Sequence, residues 1–109
     1  MSAPDDSGQG GTPGFTAVAA GARWTYAGAL TFAEAGRVLA AASTLALPRD
    51  GVVDCSRIGA FDSAAVAALL ALKRRAAAEG RRIDFAGLPG RLEALATLYG
   101  VEEMLAGIA

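Results

Sequence analysis

The sequence has no histidine. That removes the commonest general base and the commonest metal ligand. It also leaves any serine nucleophile without the imidazole that usually activates it. There is one cysteine, Cys55, so no intrachain disulfide can form, and the chain reads as one made for a reducing cytosol. Cys55 falls in an apolar strand pattern and is expected to be a small buried hydrophobe rather than a reactive thiol. Lysine is nearly absent, and the positive charge is mostly arginine. The net charge of −1 offers no basic excess for nucleic acid. The longest unbroken apolar run, Ala64 to Leu72, is far short of the 18 or so residues that span a bilayer. The start of the chain lacks basic residues and carries Asp5 and Asp6, so it does not read as a secretory signal.

What is present is 109 residues with 53% apolar content, enough for one domain with its own core. Residues 1–14, rich in Gly, Ser, Pro and Asp, read as a disordered tail before a domain over 15–109. Phe15 to Ala20 is expected to be a strand, turned at Gly21-Ala22. The next segment, Arg23 to Leu30, alternates, with Trp24 and Tyr26 on one side and Arg23 and Thr25 on the other, as a half-buried strand does. Thr31-Phe32-Ala33-Glu34 has the form of a capping box. It predicts a helix from Phe32 to about Ser43, with Phe32, Ala35, Val38, Leu39 and Ala42 facing inward. Pro48 to Gly51 is a turn, followed by a short strand, Val52 to Cys55, and then a loop. A second helix is expected over Ser63 to Glu79, stopped by Gly80. Ile83 to Ala86 gives a fourth strand. A third helix is expected over Arg91 to Tyr99, with Leu92, Leu95, Ala96 and Tyr99 inward and Glu102 to Ala106 adding a turn. The order β-β-α-β-α-β-α implies an α/β domain with a four-stranded mixed sheet. Strands joined through helices run parallel, and the helices then lie mainly on one face.

The segment IGAFDSAAVAALLAL, residues 58–72, poses the functional question. Asp62 and Ser63 are its only strongly polar residues. Both are good helix N-caps, and Asp suits the positive end of the helix dipole. Capping and partner contact are compatible readings of the pair. The helix after them is apolar all round, which implies cover on more than one side. Either its alanines are surface helix formers, or Ala64, Ala67, Ala68 and Ala71 form a flat docking surface extended by Ile58 to Phe61. Asp54 and Ser56 read as turn and capping groups. Arg74, Arg75, Arg81 and Arg82 read as a solvated helix end, with contact to an acidic partner or anionic lipid as the alternative.

Residues 54–66, DCSRIGAFDSAAV, resemble the signature of STAS domains: a strand ending Asp-x-Ser, a short apolar loop, then Asp-Ser/Thr opening a helix. AGALTFAEA at 27–35 resembles the family's Gly-x-Leu-Thr/Asp segment, and the likeness runs in order from residue 15 to about 106. LKRRAAAEGRRIDFAGLPGRLEALATLYGVEEML is similar to the C-terminal half of the MlaB-type members, small cytosolic subunits of phospholipid ABC transporters. The resemblance implies a non-catalytic domain without a cofactor. It would bind the transporter's ATPase, and so sit at the inner membrane, through Ile58, Phe61, Asp62, Ser63, Ala64, Ala67 and Ala68. The other branch of the family implies an antagonist of a kinase-like anti-sigma factor, with Ser63 as phosphoacceptor. Many STAS signatures carry Gly shortly after the Ser/Thr, where this chain has Ala64-Ala65. Ala favours helix over Gly by roughly 1 kcal/mol, so the helix head here should be stiffer.

Overall fold

The computed structural model describes residues 12–101. The expected tail falls almost wholly outside the described residues, as does the extra turn expected over Glu102 to Ala106. At the inner end of that tail, Gly14 is already paired in a strand.

The elements follow the expected order: β1 Gly14–Val18, β2 Arg23–Leu30, α1 Phe32–Ala42, β3 Val52–Phe61, α2 Ser63–Ala78, β4 Asp84–Ala86 and α3 Gly90–Leu98. The sheet order is β1-β2-β3-β4. The hairpin β1–β2 is antiparallel, and β2–β3 and β3–β4 are parallel. Because each parallel step is made through a helix and the strands add in one direction, the helices collect on one face. The core lies beneath them, built on Trp24, Tyr26, Leu30, Val53, Cys55 and Phe85 from the sheet. On the other face Thr16, Arg23 and Ala27 are exposed, with Thr25, Asp54 and Asp84 half-buried.

Strand β1 ends at Val18, two residues earlier than expected. Ala19 and Ala20 take left-handed backbone (φ 52° and 55°) in a short 3-10 turn through Gly21. The turn is held from outside: Arg49 N–H donates to Gly21 O (3.1 Å), Asp50 N–H to Ala22 O (2.8 Å), and Arg49 Nη1 to Ala20 O (2.5 Å). The partner turn needs Gly51, whose φ is +71° and where a Cβ would stand 2.7 Å from Arg82 O.

Strand β3 differs most from expectation. It does not stop at Cys55; it runs to Phe61, and the expected loop Ile58 to Asp62 is strand up to its last residue. The eight-residue β2 supplies a partner along this length. Two bulges absorb the mismatch. Thr25 to Ala27 pairs with Asp54 to Arg57, and Gly28 to Leu30 with Ile58 to Phe61, so β3 holds one extra residue each time. Consecutive residues are therefore exposed, Ser56 with Arg57 and Gly59 with Ala60. The two-residue alternation by which a strand is read is lost there.

Two expected core residues lie outside. Phe32 is 85% exposed. It precedes Val38, the buried centre of α1, by six positions, which places it about 120° round the helix. Tyr99 is 53% exposed because α3 ends at Leu98 and the chain closes through Gly100 (φ 73°), with Val101 N–H on Ala96 O at 3.0 Å.

Helix α2 packs between α1 and α3. Ala65, Val66, Ala68, Leu69, Leu72 and Ala76 are buried in it. The cover implied by its all-round apolar surface is thus supplied largely by its two neighbours.

Candidate functional site

The site is the junction where β3 meets α2. Asp62 is the N-cap, with extended backbone (φ −141°, ψ −164°), and its Oδ1 accepts from Ala64 N–H at 2.8 Å. Its other oxygen, Oδ2, accepts from Phe32 N–H at 3.1 Å, which is the first residue of α1. One carboxylate therefore caps two helices. The head of α1 is completed by its own capping box: Thr31 N–H donates to Glu34 Oε1 at 2.9 Å, and the Thr31 hydroxyl bonds the same oxygen. The Thr31 hydroxyl and then its amide hold the Glu34 carboxyl below its usual range.

Ser63 opens α2 and is exposed, and no described residue hydrogen-bonds its hydroxyl. Phe61 and Ala64 are half-buried beside it, and Ala67 is exposed one turn on. Two of the expected contact residues are not on this surface. Ile58 is 8% exposed and belongs to the core, since it points under the helices between the two bulges. Ala68 is 1% exposed, because it lies on the side of α2 turned toward the rest of the helix layer and the sheet. The solvent stripe of α2 runs instead through Ser63, Ala67 and Arg74, flanked by half-buried Ala64, Leu70 and Ala71.

Asp54 and Ser56 form a local turn: Asp54 Oδ1 accepts from Ser56 N–H at 2.9 Å. Hydrogen bonds from Ser56, backbone first, hold the Asp54 carboxyl below its usual range, and Arg23 and Arg57 add to this. Asp54 stands eight positions before Asp62 in β3, on the order of 25 Å along an extended strand. The two halves of the signature thus do not form one surface. Between them Cys55 is fully buried, and burial pushes its thiol up to about 12.

The arginines are not a plain solvated end. Arg75 donates to Ala42 O (Nη1, 3.0 Å) and Leu45 O (Nη2, 2.6 Å) and pairs with Glu79 (2.9 Å). Arg81 Nη2 donates to Pro48 O at 2.6 Å. Both hold the chain between α1 and β3. Arg74 remains exposed, and Arg82 pairs with Asp84 at 3.3 Å.

Chemically, the junction offers an exposed hydroxyl beside a carboxylate each of whose oxygens accepts a backbone N–H, with small apolar residues around them. Among the described residues no group of three or more His, Cys, Asp or Glu side chains could hold a metal ion. The feature missed from the sequence is the exposed Phe32 beside Asp62; its angular offset from Val38 was the available signal. No helix among the described residues is long and apolar enough to cross a membrane. No curated protein matches the chain. The family described as "Mlab, STAS domain" matches residues 17–106, which takes in the whole sheet from within β1, all three helices and the Asp62–Ser63 junction. The chain belongs to this MlaB-type STAS domain family.

Proposed function

We propose that this domain is a binding subunit of an MlaB-type phospholipid ABC transporter and that it docks on the transporter's cytosolic ATPase through the head of α2. The match to the MlaB-type STAS family carries the reading. The junction supports it: Ser63 and Ala67 are exposed, beside half-buried Phe61 and Ala64, on a helix whose other sides are covered. Small residues on such a stripe let a partner helix approach closely. The ATPase would hold the nucleotide, so this chain needs no cofactor. It would act by binding one ATPase conformation or assembly state more tightly than the others. Its place would be the cytosolic face of the inner membrane, reached through the complex.

The test is affinity purification of the chain from its native host, with the ATPase of a phospholipid ABC transporter expected among the proteins retained. Ala67→Arg puts a long charged side chain on the exposed stripe and is expected to abolish the complex while the domain stays folded by circular dichroism. Ala68→Arg, at a core position, is expected to unfold the domain. A folded Ala67→Arg protein that still binds the ATPase would remove this face from the interface.

A second reading has one observation in its favour, the exposed Ser63 hydroxyl at a helix N-terminus, which no described residue hydrogen-bonds. There Ser63 is a phosphoacceptor and the partner a kinase-like anti-sigma factor, released by the roughly two negative charges of a phosphate. Intact mass of the native protein decides it. A one-phosphate form lost in Ser63→Ala supports this reading, and its absence in every growth state excludes it.

A further inference from the structure

The two edges of the sheet are built differently. The edge strand β4 is three residues long and begins at Asp84, which pairs with Arg82 (3.3 Å) and Lys73 (3.8 Å). Shortness and charge are common means of keeping a sheet edge from pairing further. The edge strand β1 has neither. Its five residues, Gly14 to Val18, contain no charge and no proline, and they pair with β2 in unbroken register. No described residue pairs with the outer side of β1. Thr16, Ala17 and Val18 are all exposed, Val18 by 37%. Pro13, the residue before β1, is drawn the other way. It lies against β2, where a Cβ on Gly28 would stand 2.9 Å from the Pro13 Cα, and its carbonyl accepts from Arg37 Nη1 of α1 at 3.2 Å.

We propose that the outer edge of β1 is a self-association surface, on which a second copy of this chain pairs its own β1 antiparallel and joins the two sheets into one. A twofold axis through Thr16 is the register that pairs all five residues. Thr16 then faces its own counterpart, Phe15 faces Ala17, and Val18 faces Gly14. Each larger side chain meets a small one, and no like charges are opposed. The faces match as well. Phe15 packs on Trp24 (ring centroids 5.5 Å) and Tyr26 (4.7 Å), so Phe15 and Ala17 look toward the helix layer, and Thr16 and Val18 toward the open face. Phe15 is only half-buried and Ala17 is exposed, so the helix layer leaves this edge uncovered; the second copy brings each of these residues against the other. Five residues are few against the roughly 1,200–2,000 Å² of a stable complex, so the dimer is weak and forms with concentration. The surface shares no residue with the head of α2, and the inference stands apart from the ATPase reading.

The experiment is sedimentation equilibrium of the full chain at low salt over about 10 μM to 1 mM. The mass is expected to rise from 10.9 kDa toward twice that value. Thr16→Lys and Thr16→Asp each oppose like charges on the twofold axis, and each is expected to stay at the monomer mass while remaining folded by circular dichroism. An equimolar mixture of the two opposes Lys to Asp and is expected to restore the rise. A wild-type chain that is monomeric throughout overturns the proposal. So does a dimer that survives in both variants, or a mixture of the folded variants that stays monomeric. Should either variant fail to fold, amide exchange by NMR on the ¹⁵N-labelled wild-type chain decides. Exchange of β1 amides that slows as concentration rises supports the edge, and slowing confined to other elements overturns it.

Discussion

Arg75 offers a quantitative test of how the helix layer is held. Its guanidinium reaches from α2 to the chain leaving α1, donating to Ala42 O at 3.0 Å and Leu45 O at 2.6 Å. A hydrogen bond to a charged group contributes about 1.5–3 kcal/mol. Ala42 O keeps a second donor, Leu45 N–H at 2.9 Å, so its loss is the milder. For Leu45 O, Arg75 is the sole donor among the described residues. The Glu79 pair is different: its carboxylate side chain is 46% exposed, and such an i,i+4 pair contributes only about 0.3–0.5 kcal/mol. Arg75→Met keeps most of the aliphatic stem and removes the fork. The expected loss is about 2–4 kcal/mol, a fall in Tm of roughly 10–25 °C for a domain of this size. Arg75→Lys retains the charge but not two parallel donors, and should lose about half as much. Glu79→Gln should lose less than about 0.5 kcal/mol. Urea unfolding followed by circular dichroism measures all three, with the midpoint moving and the slope constant. An Arg75→Met loss no larger than that of Glu79→Gln would refute the argument, because the salt bridge and not the carbonyl fork would then be the working contact.

Two further outcomes follow from titrating groups. Cys55 is fully buried with its thiol pushed up to about 12, so at pH 8 only about one part in ten thousand is thiolate. A thiol reagent should modify it only on unfolding, and modification as fast as free cysteine in folded protein would contradict the buried placement. Glu34 and Asp54 both have folded values below their ordinary ones, so each contributes stability above its unfolded value and loses it as pH falls through the folded one. Stability against urea should therefore be level from neutral pH down to about 5 and then decline. Glu34→Gln should reduce stability at pH 7 and shrink that decline; an unchanged acid limb would show that the Thr31 cap is energetically silent.

The sequence carried the element order because each helix is announced by local chemistry: Thr31 before α1 with Glu34 in its first turn, Asp62 before α2, Gly80 and Gly100 after α2 and α3. These signals act within a few residues and survive folding intact. Strand β3 was only half legible, because its second half is defined by a partner strand and by two bulges that destroy the alternation. The candidate site divided in the same way. Asp62 and Ser63 stand at the helix head where their capping chemistry places them. Ile58 and Ala68 went into the core because their orientation depends on a bulge and on which side of α2 its neighbours occupy. The bond from Asp62 to Phe32 joins residues 30 apart, and no local rule could disclose it.

The nearly lysine-free composition and the alanine-rich α2 have one structural explanation. A helix held between two others and a sheet must be slim, and alanine at positions such as Ala65, Ala68 and Ala76 lets the layer close with those residues at most 1% exposed. Small side chains bury little apolar area each, so the layer gains less from packing than a leucine-rich one would. Arginine forks make up part of the difference: Arg75 ties α2 to the end of α1, Arg81 ties the following turn to Pro48 O, and Arg49 ties that segment to Ala20 O. Lysine offers no planar fork and could not span two carbonyls in fixed geometry. The one lysine, Lys73, bonds a single carbonyl, Ile83 O at 2.7 Å, where no fork is required. With its sides packed by alanine and its far end tied by arginine, α2 is fixed in the layer, and Ser63 and Ala67 stay on its exposed side.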